Sequence, residues 1–156
     1  MVTIPFVKMN GAGNDFVVVN ALETPFAPTE AQVRAIADRA TGEGCDQLIA
    51  LEPSDTADVF MRVWNADGGQ VETCGNALRC VGWLMMQSTG QDSVTIDTLG
   101  GPTTAGRAEG ENQIRVDMVP PRLDWTQVPL ADAMDTRNIE LQIGPIDAPV
   151  LHTPSA

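Results

Sequence analysis

Residues Asn76–Ser88 read NALRCVGWLMMQS. At about 3.6 residues per turn, the apolar members of this run (Ala77, Leu78, Cys80, Val81, Trp83, Leu84, Met85 and Met86) cover nearly the whole circumference of a helix. A helix that is apolar on every side has to be buried on every side. In a chain of 156 residues this requires a sheet that curls about it. The sequence therefore predicts an α+β fold, a strongly curved, mainly antiparallel sheet wrapped around a central apolar helix.

Strand signals lie on both sides of that helix. Ile4–Lys8 and Phe16–Asn20 flank the turn Asn10-Gly11-Ala12-Gly13, with Asn14 able to tolerate left-handed geometry. Gln47–Leu51 and Val59–Asn65 follow, the latter alternating Phe60, Arg62 and Trp64 against Val59, Met61 and Val63. The triplet Asp67-Gly68-Gly69 turns the chain towards the helix. Beyond it, Ser93–Thr98, Pro102–Arg107 and Gln113–Met118 read as antiparallel strands joined at Gly100-Gly101 and Glu109-Gly110. A second helix, over Thr29–Ala40, opens with a T-x-x-Q capping box from Thr29 to Gln32 and is placed outside the sheet.

After Met118 the text changes. The last 38 residues hold six of the eleven prolines, and within them Ile139–Ile143 alternates like a strand. The division predicted is a lobe over residues 1–118 and an entry segment to a second lobe over 119–156, with the boundary near Val119–Pro121.

Composition narrows the function. Apolar residues make up 43% and charged residues 19%, which suits a packed core rather than a disordered chain. Nine Lys+Arg against 21 Asp+Glu give a net charge of −12, so a nucleic-acid partner is not expected. No stretch approaches the roughly 20 apolar residues of a membrane span, and the N-terminus does not read as a secretory signal. Three cysteines (Cys45, Cys74 and Cys80) and one histidine, His152, match neither a disulfide scaffold nor a zinc site. A cytoplasmic chain without metal is the expectation.

Cys74, Gly75 and Asn76 stand where the apolar helix begins. Free amides and the positive end of the helix dipole there favour a thiolate, and the same amides suit a carboxylate or phosphate. Together they fit proton abstraction beside a carboxylate. A small hydrophobe at a helix start is the competing reading of Cys74. Glycine next to it leaves room for a ligand. Cys80 falls on the core side of the helix, and Cys45 reads as a partly exposed loop residue. Arg62 and Arg79 read as structural partners for the many carboxylates, and taken alone Asn14 and Asn65 are unremarkable.

Four ordered stretches carry a family resemblance: FVKMNGAGNDF (Phe6–Phe16), RATGEGCDQ (Arg39–Gln47), RVWNADG (Arg62–Gly68) and ETCGNALRC (Glu72–Cys80). Together they resemble diaminopimelate epimerase, and weaker similarity extends to about Met118. The resemblance implies a two-lobed enzyme that interconverts LL- and meso-diaminopimelate for lysine and peptidoglycan synthesis. It implies no cofactor, a pair of cysteines as acid and base, and a tendency to homodimers. Carried over by motif, Cys74 is one of those cysteines. Gly75 and Asn76 hold the substrate carboxylate, and Asn14, Gln47 and Asn65 bind its amino and carboxylate groups. Ala77 and Cys45 depart from the family pattern without touching these roles.

The family's second half, with the partner cysteine, has no counterpart among the 156 residues, so the chain alone is expected to be inactive and to need that missing lobe. Two alternatives stay open. One is a proline racemase-like or phenazine-biosynthesis-like enzyme of the same fold, the former opposed by the Asn14 and Asn65 motifs and the latter by Cys74. The other is a non-catalytic lobe that binds a ligand or a partner.

Overall fold

The computed structural model describes residues 4–110, 112–118, 120–128, 130 and 132–139. Its elements are β1 (Phe6–Gly11), β2 (Asn14–Asn20), α1 (Glu30–Ala37), β3 (Gln47–Glu52), β4 (Val59–Asn65), β5 (Gln70–Val71), α2 (Gly75–Thr89), β6 (Ser93–Asp97), β7 (Thr103–Arg107) and β8 (Ile114–Asp117). All but β5 form one path in the order β1-β2-β3-β4-β6-β7-β8, and β5 pairs with β4. The pairings β2–β3 and β4–β6 are parallel, and the others are antiparallel. This is the expected α+β architecture.

Strands β2 and β3 are buried on both faces over Phe16–Val19 and Leu48–Leu51, which is why they read as unbroken apolar runs there, whereas β4 alternates, with Phe60 and Arg62 half-buried. On one face Phe16, Val18, Ile49, Leu51, Val59, Met61 and Val63 pack with α2 through Leu78, Val81 and Met86. On the other, Val17, Val19, Leu48, Ala50 and Trp64 pack with Val33 and Ala37 of α1. The sheet thus lies between two helices, with α2 on its concave side.

Several expectations need correction. Helix α2 is not buried all round, since Arg79 is exposed and Trp83 and Leu84 are half-buried. The reason is that β1 and β8 are the two ends of the sheet path and do not pair. Between them a cavity of about 370 Å³ is lined by Met9, Gly11, Cys80, Trp83 and Ile114 among others. Trp83 is half-buried in this lining and donates its indole N–H to Asn112 Oδ1 at 3.2 Å.

The first hairpin also differs. Its strands run longer than predicted, and the left-handed residues are Ala12 (φ 52°) and Gly13 (φ 95°), not Asn14. Positive φ at both central residues is what a tight two-residue hairpin requires. Asn14 is instead the first residue of β2, paired with Gly11.

Helix α1 carries both halves of the capping box, with Gln32 N–H donating to Thr29 Oγ1 and Thr29 N–H to Gln32 Oε1. It ends at Ala37 rather than Ala40, because Asp38 turns extended and its carboxylate takes the N–H groups of Ala40 and Thr41. The following loop folds back onto the helix end. Glu43 and Gly44 donate to Ile36 O, and Cys45 N–H donates to Ala37 O at 3.2 Å. Cys45 is thereby pulled into the α1 face of the core and is only 2% exposed, contrary to its reading as a loop thiol.

By contact the chain divides into two compact units, Met1–Val119 and Pro120–Ala156. In the second, a 3-10 turn over Trp125–Gln127 is capped by Asp124. All but Ile139 of the strand predicted at Ile139–Ile143, and His152, lie outside the described residues. Among the described residues no helix is long and apolar enough to cross a membrane, and no group of three or more His, Cys, Asp or Glu side chains is placed to hold a metal ion.

Candidate active site

Strand register gathers three of the predicted site residues at one end of the sheet. Gln47 opposes Asn65 across β3–β4 and lies beside Phe16 of β2, two residues along from Asn14. The Gln47 amide nitrogen donates to Asn65 Oδ1 at 2.9 Å. Helix α2 brings its first turn to Asn14, whose Oδ1 accepts from Asn76 Nδ2 at 2.8 Å. Asn76 stands two residues after Cys74, so the thiol-bearing helix start is tied directly to the strand residue. The other predicted residue, Gly75, lies between them.

That helix start differs from the start of α1. Cys74 is the N-cap residue of α2, and its side chain makes no capping bond. The first intrahelical bond runs from Leu78 N–H to Cys74 O at 2.9 Å, which leaves the amides of Gly75, Asn76 and Ala77 without an intrahelical acceptor. At Gly75 an added Cβ would meet nothing nearer than Met118 Sδ at 3.9 Å and Arg79 Nη1 at 4.0 Å. The fold itself does not demand glycine there. Open space above amides that have no acceptor among the described residues, at the positive end of a helix dipole, is a place for an anion.

The three thiols differ in access. Cys74 is half-buried, whereas Cys80 and Cys45 are buried. Burial pushes the Cys80 thiol above its usual range, and the nearby Cys74 adds to the rise. Burial also raises the Cys45 thiol. Cys80 is a core residue, as its helical position predicts. Of the two arginines read as structural, Arg62 grips Glu52 with Nε and Nη2 at 2.8 and 2.9 Å. Arg79 instead donates to Gly75 O at 3.3 Å and to Asn76 Oδ1 at 3.0 Å, within the site.

Three side chains not singled out by the sequence join this cluster. Asp46 Oδ2 accepts from Asp15 N–H at 2.8 Å and from Asn14 Nδ2 at 3.4 Å. Arg39 bridges the two carboxylates, with Nη2 to Asp46 Oδ1 at 2.8 Å and Nη1 to Asp15 Oδ2 at 3.0 Å. The Asp15 backbone N–H, ahead of the Arg39 guanidinium, holds the Asp46 carboxyl below its usual value. Their one trace in the sequence is membership of the GNDF and RATGEGCDQ stretches.

The profile of the family described as Diaminopimelate epimerase matches residues 6–123. A curated diaminopimelate epimerase of Phenylobacterium zucineum is 60% identical over 137 residues, covering 88% of this chain and 49% of its own length. One from Caulobacter vibrioides is 53% identical over 156 residues, covering 96% of this chain and 54% of its own. The chain thus spans about half the length of the curated relatives it matches. Among solved structures, a hydroxyproline epimerase from Agrobacterium vitis superposes with a TM-score of 0.56 at 17% identity, over 76% of this chain and 43% of that one. A phenazine biosynthesis protein of the PhzF family from Bacillus anthracis gives 0.52 at 23% identity, over 74% and 40%. At such identities the structural likeness speaks for the fold alone. The sequence matches speak for the family, and the chain belongs to the diaminopimelate epimerase family.

Proposed function

We propose that this chain supplies one wall of a diaminopimelate epimerase site, in which the Cys74 thiolate takes or returns the α-proton on one face of the substrate. The observation that carries the reading is the Asn14–Asn76 bond, which ties the Cys74 helix start to the sheet end bearing Gln47 and Asn65. An amino acid's α-centre needs donors for its carboxylate and acceptors for its ammonium group. The amides of Gly75 and Asn76 serve the carboxylate. The carbonyl of Gln47 and the remaining lone pairs of Asn14 and Asn65 serve the ammonium group. Drawing carbanion charge into a carboxylate held by fixed amides is stabilisation of the oxyanion type.

The reaction balances with protein groups alone. A thiolate removes the α-proton from one face, and a thiol donates a proton to the other. The second thiol comes from the portion of the relatives that this chain does not span. The reading places the protein in the cytoplasmic synthesis of lysine and peptidoglycan precursors.

The test is a chimera joining this chain to the second half of the Phenylobacterium zucineum relative. Such a chimera should interconvert LL- and meso-diaminopimelate, and Cys74→Ala should abolish turnover. A chimera that folds but leaves diaminopimelate unchanged, or one in which Cys74→Ala keeps full rate, would overturn the proposal.

A further inference from the structure

We infer that Asp46 and Arg79 are positioning residues that fix the direction of the Asn14–Asn76 amide pair by gripping its two ends with opposite charges. The inference deepens the proposed function and rests on it for the ligand.

Side-chain amides are reversible in a way that carboxylates and guanidinium groups are not. A carboxylate only accepts, and a guanidinium only donates. Asp46 Oδ2 therefore takes the Nδ2 end of Asn14, at 3.4 Å. At the other end Arg79 Nη1 donates to Asn76 Oδ1 at 3.0 Å, which turns Asn76 Nδ2 towards Asn14 Oδ1, 2.8 Å away. Proton donation runs one way along the chain, from Arg79 through Asn76 and Asn14 to Asp46. Flipping either amide would set donor against donor or acceptor against acceptor at two contacts.

Asp46 is itself held. Its oxygens also take the Asp15 N–H and Arg39 Nη2, both at 2.8 Å, and Arg39 reaches Asp15 as well. These carboxylates and Arg39 are 39–57% exposed at their side chains, where an ion pair adds little stability. What the pair supplies is direction. With both ends pinned, Asn14 offers a ligand one remaining N–H and one remaining lone pair, in a fixed order around the Cys74 helix start.

Nuclear magnetic resonance of the ¹⁵N-labelled chain tests this through the side-chain NH₂ signals of Asn14 and Asn76. Arg79→Met should shift the Asn14 pair, although Arg79 does not touch Asn14, and Asp46→Ala should shift the Asn76 pair. Asp46→Asn keeps an oxygen acceptor and should shift it less than the alanine variant. Backbone signals of β3 and β4 should hold in all three. The relay is overturned if Arg79→Met leaves Asn14 unmoved, if Asp46→Asn and Asp46→Ala act alike, or if the backbone signals move throughout. In the chimera, Asp46→Ala and Arg79→Met should raise KM for diaminopimelate about tenfold, the effect of one lost hydrogen bond, with a smaller change in kcat. Unchanged KM overturns the ligand-facing role. An unmutated chimera without turnover overturns the proposed function instead, while the ligand-free spectra still decide the relay.

Discussion

Gly11 approaches α2 so closely that a Cβ on it would lie 2.6 Å from Cys80 Sγ and 3.0 Å from Asn76 O. The hairpin that carries Asn14 is seated on the helix that carries Cys74 through this contact. Gly11→Ala must push hairpin and helix apart, and overpacking of this kind costs about 1–3 kcal/mol. Urea titration should show that loss. Adding Cys80→Ala should recover part of it by removing the sulfur. Additive losses in the double variant would mean that the two residues are not in contact.

Core position should outweigh side-chain size on α2. Leu78 is fully buried, so Leu78→Ala should cost about 2–5 kcal/mol. Trp83→Ala removes more atoms but from a half-buried position, and should cost less than Leu78→Ala. Equal or larger loss at Trp83 in matched denaturation curves would contradict the open seam between β1 and β8.

Trp83 also marks what the sequence could and could not tell. Periodicity locates the helix, its N-terminal end and the curled sheet, because each follows from local apolar spacing. It cannot reveal that the sheet path stops at β1 and β8, since closure depends on pairing between distant strands. Cys45 was hidden for a related reason: its burial comes from Glu43, Gly44 and Cys45 folding back on the carbonyls of Ile36 and Ala37. Of the candidate site residues, Cys74, Gly75 and Asn76 were legible from the helix start itself, whereas Asn14, Gln47 and Asn65 were legible through motif resemblance alone. Asn14, Gln47 and Asn65 are bland one by one and become a cluster through register and the end of α2. Asp46 and Arg39 carry no local signal because their partners are 24 to 32 residues distant or face them across a loop.

Stability should fall at both ends of the pH range. Asp46 has its carboxyl lowered by the Asp15 N–H, and Asp15 has its own lowered by Asn10 and then Arg39. On acidification the unfolded chain takes up these protons first, near pH 4, so stability declines as pH drops through the depressed folded values. Cys45 and Cys80 have thiols raised by burial. The unfolded state loses those protons first, above about pH 8.5, so stability declines as pH climbs from there. Urea midpoints across pH should form a dome. Asp46→Asn should flatten its acid limb and Cys45→Ala its alkaline limb, and a limb indifferent to its variant would refute the assignment.

The isolated 156-residue chain should label the α-carbon of diaminopimelate with deuterium at most on one face, without inverting it. Inversion needs a base and an acid on opposite faces, each within about 2.6–3.2 Å of its proton position or one water away. The chain has three thiols. Cys74 stands at the open helix start, half-buried. Cys80 is 5% exposed and shares its helix with Cys74, so it cannot reach the opposite face. Cys45 is 2% exposed in the core cluster beneath α1 and across the sheet from α2. Alkylation should follow the same order, with iodoacetamide reaching Cys74 well before the other two. Incubating LL-diaminopimelate with the chain in deuterated water, then resolving the stereoisomers, separates exchange from inversion. Formation of meso-diaminopimelate by the unmutated chain would refute the single-thiol account, and exchange that survives Cys74→Ala would refute the role of Cys74.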